Sequence, residues 1–381
     1  MTLTGLRSLG ISKFMNPKPV VVIPANDVPG ARLALERALG GEIAVYISER
    51  EINGEKVAVD VPEFVENTAL IIESSGSTGI PKKIYLSAEA LISSAKATAE
   101  YLGHTGQWLL ALPINYVAGA MVLVRSILAD SQPVVMNTGV SFTAEAFSLS
   151  TTLLNAEHRF TSLVPTQLNR LKQLAMVDDF VLGSLRRFEA ILVGGQAVSD
   201  DVVDYFLNEK VNIVKTYGSA ETAGGCVYNG YPLAGVELKI NADGTIAIKS
   251  DSLANGVSDD LGFFNTKDVG ILEDDFLRVL GRADRVINSG GIKIALDEVE
   301  AVAATVPGVV EVAATAIDSS EWGERVGLVY VGSPEVADYM AEAVFSKLGL
   351  ASKPIRVLRV DRIPKLVSGK NDLLALKRIF E

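Results

Sequence analysis

Residues 74–83 read SSGSTGIPKK and begin one residue after the segment 68–72, whose mostly apolar side chains predict a buried strand. A loop rich in glycine and hydroxyl residues lets the backbone approach an anion closely and offers several donors to phosphate oxygens. The lysines that close the loop add positive charge. The stretch therefore predicts a phosphate-binding loop, with the candidate contacts Ser75, Gly76, Ser77, Thr78, Gly79 and Lys82.

This loop is not the P-loop of nucleoside triphosphatases. In that motif the second glycine is the fifth residue after the first, and a lysine follows it. The fifth residue after Gly76 is Pro81 instead. A solvated turn is the alternative interpretation of a Ser/Gly loop taken alone.

Further segments follow in a fixed order along the chain. They read YGSAET (residues 217–222), TKDVG (266–270), GRADRVI (281–287), GGIK (290–293), EVE (298–300) and PKLVSGK (364–370). Together with the loop they resemble the ANL family of adenylate-forming enzymes, which includes acyl-CoA synthetases, peptide-synthetase adenylation domains and luciferases. The resemblance extends from about residue 70 to residue 378.

Composition is compatible with this interpretation. A chain of 381 residues with 48% hydrophobic content can bury a large core in two or three domains. A net charge of −11 disfavours nucleic-acid binding, and no apolar run is long enough to predict a membrane span. The N-terminal residues lack the apolar core of a secretory signal, and the single Cys226 fits a reducing, cytoplasmic compartment.

The low number of histidines and cysteines restricts the chemistry. With only His104, His158 and Cys226, a His/Cys metal cluster cannot be assembled, and both histidines are interpreted as surface or capping residues. Nucleotide chemistry is therefore expected to rest on lysine, carboxylates, backbone amides and a hard cation.

Short apolar runs alternate with helical patterns, which predicts an α/β fold with a mostly parallel, helix-covered sheet. Expected strands include residues 108–112, 133–136, 161–164, 190–193 and 213–216, and expected helices include 88–102, 116–128 and 166–175. Ligands bind at the carboxyl ends of parallel strands, where the phosphate loop after residue 72, Gly195, Gln196, Tyr217 and Gly218 would all lie on one edge. Residues 236–250 predict a β-hairpin.

Two domains are expected. Residues 1–283 would form a large nucleotide- and acyl-binding domain, and residues 284–381 a small mobile α+β domain. In the second domain the pattern predicts helices at 296–305, 335–348 and 371–380, with strands at 309–317, 326–331 and 355–360. The N-terminal subdomain is expected to be trimmed relative to the family, since only 74 residues precede Ser75.

The resemblance implies roles for residues of the adenylation step. Lys370 would bridge the acyl carboxylate and the α-phosphate, Glu221 would hold Mg²⁺, and Tyr217 would stack on adenine. Where the family usually has a hydroxyl residue before this glutamate, the chain has Ala220. Thr222 or Thr78 would then supply the missing donor.

The same resemblance assigns residues of the small domain and its border. Asp268 would accept both ribose hydroxyls, Arg282 would add charge near the ribose or phosphates, and Asp284 would be the hinge. Gly290, Gly291 and Lys293 would face coenzyme A, since two glycines let a thin pantetheine arm pass close to the backbone.

Four segments resemble the 2-succinylbenzoate–CoA ligase branch of the family: LPINYVAG (112–119), VLVRSIL (122–128), SLVPTQL (162–168) and GGCVY (224–228). In that branch Tyr116, beside Asn115, corresponds to a gate residue, and Arg125 to an arginine that contacts the substrate's distal carboxylate. The alternative for Arg125 is a helix-surface position.

The resemblance implies an ATP- and Mg²⁺-dependent acid–CoA ligase that makes acyl-AMP and then acyl-CoA, with 2-succinylbenzoate of menaquinone biosynthesis as the acid. Left open are an acyl-CoA synthetase for another aromatic or dicarboxylic acid, a carrier-protein-loading adenylation domain, and a non-catalytic nucleotide- or acyl-binding relative. A homodimer is also left open.

Overall fold

The computed structural model describes residues 17–48, 51–52, 55–56, 62, 64–75, 81–365 and 371–381. Two compact units account for this part of the chain. The first extends to Leu238 and includes Ile248–Phe264 and Asp274–Phe276; the second contains Lys239–Ala247, Asn265–Glu273 and Leu277–Glu381. The predicted domain border between residues 283 and 284 stays a prediction, and the observed grouping places residues 277–283 in the second unit.

The first sheet of the first unit has five strands in the order β5-β1-β2-β6-β7, and a separate pair is formed by β3 and β4. The neighbours β1, β2 and β6 are parallel, whereas β6 and β7 form an antiparallel hairpin. Two helices accompany this sheet. The elements are β1 (Lys18–Pro24), α1 (Val28–Leu39), β2 (Ala44–Ser48), β3 (Glu51–Ile52), β4 (Glu55–Lys56), β5 (Phe64–Val65), β6 (Leu70–Ser75), β7 (Pro81–Leu86) and α2 (Ala88–Leu102).

The second sheet has seven strands in the order β14-β13-β12-β11-β10-β8-β9. Its strands from β9 to β12 are parallel, as the alternating pattern predicts, and β13 and β14 extend it antiparallel. The elements are β8 (Gln107–Leu110), α3 (Val117–Leu128), β9 (Val134–Val135), α4 (Ala144–Thr151), β10 (Arg159–Leu163), α5 (Pro165–Ala175), α6 (Asp179–Leu185), β11 (Ala190–Val193), α7 (Asp200–Asn208), β12 (Ile213–Ser219), β13 (Gly224–Tyr228) and β14 (Tyr231–Pro232).

Helix α3 is the most deeply buried helix of this unit. It packs against α1, α2, β8 and β10, and all ten residues from Gly119 to Leu128 are buried. Its sequence is apolar on every side, which is typical of a helix enclosed by other elements rather than one with a solvent face. A charged residue in this helix, Arg125, must therefore lie in the core.

Local sequence explains where α2 begins and ends. The Ser87 hydroxyl accepts a hydrogen bond from the Ala90 amide at 3.0 Å, which satisfies one of the amides left without a helical partner. Gly103 ends the helix with φ +77°, a conformation that glycine adopts without a steric penalty.

A third sheet, in the order β15-β16-β17-β18, contains the predicted hairpin. Its first turn has Gly244 at φ +86°. The strands are β15 (Glu237–Ile240), β16 (Thr245–Lys249), β17 (Phe264–Glu273) and β18 (Phe276–Arg282).

The rest of the second unit is a mixed sheet in the order β20-β19-β22-β21, with β23 parallel to β22. Helices α8 and α9 bury Val299, Met340 and Val344 against it, as the predicted helix–strand pattern requires. The elements are β19 (Val286–Ser289), β20 (Ile292–Ala295), α8 (Leu296–Ala303), β21 (Val309–Ser319), β22 (Gly323–Gly332), α9 (Val336–Leu348), β23 (Arg356–Arg359) and α10 (Leu373–Arg378). Among the helices of the described residues, none combines the length and apolar character needed to cross a membrane.

Candidate functional site

The carboxyl ends of neighbouring strands β8, β10, β11 and β12 form one edge of the second sheet. Predicted site residues follow three of these strands: Tyr116 after β8, Gly195 and Gln196 after β11, and Tyr217 and Gly218 within the end of β12. Open parallel sheets bind ligands at this edge. The predicted placement of Gly195, Gln196, Tyr217 and Gly218 on one sheet edge is therefore found in the structure. The predicted phosphate loop follows β6, which belongs to the first sheet, so the prediction that the loop shares this edge was wrong.

The turn after β11 lies close against β12. A Cβ atom added at Gly194 would lie 2.3 Å from the Thr216 hydroxyl oxygen, so only glycine fits there. Gly195 follows with φ +84°, in the left-handed region that favours glycine, and Gln196 is exposed. The backbone at this edge is open to a ligand that approaches closely.

The segment after Tyr217 is shaped by an irregularity in the pairing of β12 with β13, between Tyr217 and Gly218. A Cβ atom at Gly218 would lie 2.1 Å from the Gly224 carbonyl oxygen. The bend leads into a single 3-10 turn, Ala220–Thr222, where Glu221 is half-buried. Among the described residues, no ion pair involves the Glu221 carboxylate, so its oxygens could take a hard cation.

Thr222 does not provide the missing hydroxyl donor. Its side chain is buried, accepts a hydrogen bond from the Ser219 amide at 2.8 Å, and donates to the Gly224 carbonyl at 2.7 Å. The hydroxyl thus stabilises the 3-10 turn from within, and this part of the prediction was wrong. The other candidate, Thr78, lies outside the described residues.

Arg125 is enclosed in the core, with 7% of its surface exposed, so the surface alternative was wrong. Its guanidinium lies 5.0 Å from the centre of the Trp108 ring, and Nη2 donates to the Thr98 hydroxyl at 3.4 Å. Among the described residues its Nε has no hydrogen-bond partner. Burial lowers the pKa of Arg125, with partial compensation from Tyr228.

Arg125 also lies near the strand that follows Glu221. A Cβ atom at Gly224, where φ is +98°, would lie 3.5 Å from Met121 Cγ and 4.0 Å from Arg125 Nη2. The Thr98 hydroxyl that receives the guanidinium is 3.0 Å from the Tyr228 hydroxyl. The structure therefore brings together the predicted acyl-site arginine and the segment that carries the predicted magnesium ligand.

The predicted gate residue lies at the start of α3. Tyr116 is the N-cap residue of this helix and is 51% exposed, whereas its neighbour Asn115 is buried. A Cβ atom at Gly119 would lie 2.2 Å from the Pro113 carbonyl oxygen, so this glycine permits the tight entry into the helix.

Strands β6 and β7 hold the two ends of the predicted phosphate loop, with Ser75 opposite Pro81 and Ser74 opposite Lys82 in register. Lys82 is exposed, and Tyr46 donates a hydrogen bond to Glu73 at 2.6 Å below the loop. Residues 76–80, between the strands, lie outside the described part of the chain; they include the predicted contacts Gly76, Ser77, Thr78 and Gly79. The same holds for Lys370 near the C-terminus.

In the second unit, Arg282 and Asp268 lie side by side. Arg282 Nη1 is 3.3 Å from Asp268 Oδ1 and 3.3 Å from the Thr266 carbonyl oxygen. Lys267 has φ +62°, in the left-handed region that favours glycine. The two residues predicted to bind ribose and phosphate thus form one polar cluster.

The predicted hinge, Asp284, is 58% exposed in its side chain and lies 3.9 Å from Arg282 Nε. The next residue is firmly anchored. Arg285 donates to Asp297 at 2.8 Å and to the Ala314 carbonyl at 2.8 Å, and it also pairs with Glu300. This anchoring arginine was not identified from the sequence, although the acidic pattern of residues 297–300 was the available signal.

The predicted coenzyme A residues form the turn between β19 and β20. Gly290 and Gly291 have φ of +60° and +89°, and a Cβ atom at Gly290 would lie 2.4 Å from the Trp322 ring. Lys293 donates to the Asp243 carbonyl at 3.1 Å. Sequence reasoning missed Trp322, a 39% exposed aromatic residue over this turn.

Two family models match the chain. The model described as AMP-binding enzyme matches residues 18–253, which is more than half of the chain. The model described as AMP-binding enzyme C-terminal domain matches residues 298–370.

Curated relatives have a common description. A protein of Mycobacterium tuberculosis (strain H37Rv), called probable 2-succinylbenzoate–CoA ligase, is 36% identical over 379 residues, covering 94% of this chain and 97% of that protein. The 2-succinylbenzoate–CoA ligase of Escherichia coli K12 is 29% identical over 315 residues, covering 78% of this chain and 65% of that enzyme.

Solved structures show the same fold. The o-succinylbenzoate CoA synthetase of Bacillus subtilis, in complex with its acyl-adenylate intermediate, matches with a TM-score of 0.72 and 22% identity over 94% of this chain and 83% of that chain. The complex of the Bacillus subtilis synthetase with ATP and a magnesium ion matches with a TM-score of 0.73 and 21% identity, covering 94% and 89% of the two chains.

Proposed function

Since the chain belongs to the AMP-binding enzyme family, we propose that it is an ATP-dependent acid–CoA ligase that converts 2-succinylbenzoate to 2-succinylbenzoyl-CoA. The predicted family and fold class are confirmed by the matches. The reaction has two steps. A carboxylate oxygen first bonds to the α-phosphorus of ATP as pyrophosphate leaves; the thiol sulfur of coenzyme A then bonds to the acyl carbon as AMP leaves.

The observation that carries the choice of substrate is the environment of Arg125. A buried guanidinium is costly unless an anion or several acceptors satisfy it. Among the described residues no carboxylate pairs with it, and its protein partners are one hydroxyl and one aromatic ring. A substrate with a second carboxylate, which stays ionised while the first reacts, would complete this site.

The adenylation step concentrates negative charge around the α-phosphorus, so cations and fixed donors must be directed there. In the proposed mechanism Lys370 supplies the cation that moves with the second domain, and residues 75–79 with Lys82 bind the phosphates. Tyr217, Gly218, Gly195 and Gln196 accommodate adenine at the sheet edge.

Magnesium would be held by Glu221, which is half-buried at the start of the 3-10 turn and offers oxygen ligands of the kind that Mg²⁺ prefers. Bound there, the ion would neutralise phosphate charge. The Glu221 backbone is fixed, since its carbonyl accepts from the Ala254 amide at 2.8 Å.

The second unit would serve both steps. The cluster of Asp268 and Arg282 suits a ribose with neighbouring phosphates, because it combines two acceptor oxygens with a planar donor group. Rotation at Asp284 would remove Lys370 after adenylation and bring the turn at Gly290 and Gly291, with Lys293, to the thiol of coenzyme A.

We also place the enzyme in the cytoplasm of menaquinone-producing cells, where its substrate would be made, and leave a homodimer open. The competing functions differ in the acceptor or the acid. An acyl-CoA synthetase for another acid would use a different carboxylate, and an adenylation domain would transfer the acyl group to a phosphopantetheinyl carrier protein.

A pyrophosphate-release assay over a panel of carboxylic acids, each with and without coenzyme A, tests the proposal. We expect 2-succinylbenzoate to give the highest kcat/KM, with thioester and AMP formed only when coenzyme A is present. A matched monocarboxylic analogue should react poorly. If only another acid forms a thioester, that acid replaces 2-succinylbenzoate as the assigned substrate. If the acyl group is transferred only to a carrier protein, the carrier protein replaces coenzyme A as the assigned acceptor.

A further inference from the structure

The amino-terminal edge of the second sheet, opposite the edge described above, carries its own cluster of polar side chains. His104 lies just before β8, His158 directly before β10, and Glu189 directly before β11. These three strands are neighbours in the sheet. Residues far apart in the chain therefore meet at one place.

The three side chains are in direct contact. The imidazole rings of His104 and His158 are stacked, with centroids 3.8 Å apart and planes inclined by 10°. His158 Nδ1 lies 3.1 Å from Glu189 Oε2. One ligand atom from each of the three residues lies within 4.8 Å of the others.

We propose that His104, His158 and Glu189 form a binding site for a divalent first-row transition-metal ion. Two imidazoles and a carboxylate are ligands that zinc accepts, with water in a remaining position. The residue counts exclude a cluster made of histidine and cysteine alone, whereas this cluster includes the carboxylate of Glu189. Both histidines are half-buried, and the surface or capping role expected for them stays a prediction.

For one pair of ligand atoms, the observed spacing is close to that in a bound zinc site. Ligand atoms around tetrahedral zinc lie about 3.3 Å apart, since each bond is about 2.0–2.1 Å long. The pair His158 Nδ1 and Glu189 Oε2 is already at 3.1 Å. Stacked rings direct their nitrogen lone pairs in parallel, so His104 must turn about its side-chain bonds to complete the site.

The backbone beneath the cluster is fixed by hydrogen bonds between the strands. The Gln107 amide donates to the His158 carbonyl at 3.0 Å, and the Glu189 amide donates to the Arg159 carbonyl at 2.9 Å. The Gln107 side chain accepts from the Asn155 and Ala156 amides, which holds the turn before His158. Such support limits the reorganisation that metal binding requires.

An ion can reach the cluster from solvent, because the His158 and Glu189 side chains are 27% and 42% exposed. Magnesium, which prefers oxygen ligands and retains its water, would not compete strongly for the two imidazoles. Because the cluster lies at the sheet edge opposite the ligand-binding edge, we expect zinc to stabilise the fold without serving in catalysis.

Zinc titration by calorimetry tests the site, using protein without an affinity tag and first dialysed against a chelator. We expect one zinc ion per chain and a higher Tm with zinc. His104→Ala, His158→Ala and Glu189→Gln should each weaken zinc binding by about tenfold or more. The matched control is Glu157→Gln, which removes the exposed neighbouring carboxylate and should leave the affinity unchanged.

His104→Gln and His158→Gln preserve polarity and replace the alanine variants if those unfold at lower temperature without zinc. Replacing zinc with cobalt(II) should give the visible absorption of a nitrogen-ligated ion in the wild type and lose it in the variants. The proposal is overturned if wild-type protein takes up no zinc, or if the histidine variants bind it as tightly as the wild type. Neither result bears on the ligase reaction.

Discussion

The guanidinium of Arg125 donates to the hydroxyl of Thr98 at 3.4 Å, inside the core of the first unit. A hydroxyl is a weaker partner for a buried cation than a carboxylate, because it carries no charge. The Tyr228 hydroxyl lies 3.0 Å from the same Thr98 oxygen, so it adds a second hydroxyl to this group and no carboxylate. The Arg125 guanidinium can therefore pair with the carboxylate of a bound ligand, which leads to the first prediction.

Arg125→Leu should lower kcat/KM for 2-succinylbenzoate by the equivalent of about 2–5 kcal/mol, the range for an unpaired buried charge. A monocarboxylic analogue without the distal group should be much less affected. Steady-state kinetics of both acids measure the difference. Equal losses for both would show that Arg125 acts in packing alone.

Lys370→Ala should lower acyl-adenylate formation by about 10²-fold or more, since it removes a preorganised charge from the transition state. Supplied with chemically made acyl-adenylate, the variant should still form thioester with coenzyme A. Single-turnover assays of the two half-reactions separate these outcomes. Near-normal pyrophosphate release would contradict the role of Lys370.

The sequence predicted much of this arrangement because hydrophobic periodicity reports directly on parallel strands and their covering helices. Strand Ala190–Val193 and helix Ala88–Leu102 have the predicted bounds, and the residues after the strands share one edge. Helix Val28–Leu39 and the short helices α4, α6 and α7 were not predicted, since their apolar positions are interrupted by polar residues.

Features that depend on pairing across the sheet could not be predicted. The contact between His104 and His158 follows from the strand order β11-β10-β8. The order of strands in a sheet cannot be inferred from the local sequence around each histidine. The hydroxyl of Thr222 turns inward because the irregular pairing at Tyr217 and Gly218 brings the Gly224 carbonyl within 2.7 Å. Hydrogen-bond partners of this kind are set by tertiary structure rather than by local propensity.

Asp284→Pro should preserve one half-reaction and abolish the other. Proline fixes φ at about −65°, so the chain at this residue would be held in one of the two domain arrangements. The firm anchoring of Arg285 to Asp297 confines the change in backbone angles to the residue before it. Asp284→Ala, which keeps the backbone free, is the control. Equal loss of both half-reactions in the proline variant, with a lower Tm, would indicate misfolding instead of a trapped hinge.

Glu300→Ala should lower the free energy of unfolding of the second unit by about 1–3 kcal/mol, because it leaves the Ala314 amide without an acceptor and removes one of the two carboxylates that pair with Arg285. Urea unfolding monitored by Trp322 fluorescence, in a Trp108→Phe background, reports on this unit alone. An unchanged unfolding curve would show that Asp297 suffices for Arg285.

The same residue should make stability depend on pH. Burial raises the pKa of Glu300, although Arg285 and the Ala314 amide oppose the shift. A raised pKa contributes stability below the ordinary glutamate value, and this contribution is lost as the pH rises through the folded-state pKa. Glu300→Gln should therefore gain stability relative to the wild type as the pH rises above about 4.3, the ordinary glutamate pKa. The opposite trend would mean that the attraction to Arg285 outweighs burial.

Cys226 should resist thiol reagents in the folded protein. Burial raises the pKa of its thiol to about 12, so the thiolate that reacts is only about 10⁻⁴ of the population at pH 8. Its sulfur lies 3.7 Å from the Tyr217 carbonyl oxygen, so labelling requires the segment predicted to bind adenine to open. Ellman's reagent should modify one thiol per chain after unfolding and almost none before it.

Saturating ATP should slow native labelling further, because a ligand that binds the closed segment lowers the open population. Rapid labelling of the native protein would contradict the burial of Cys226. A labelling rate that does not change with ATP would show that the nucleotide does not bind at the segment that begins at Tyr217.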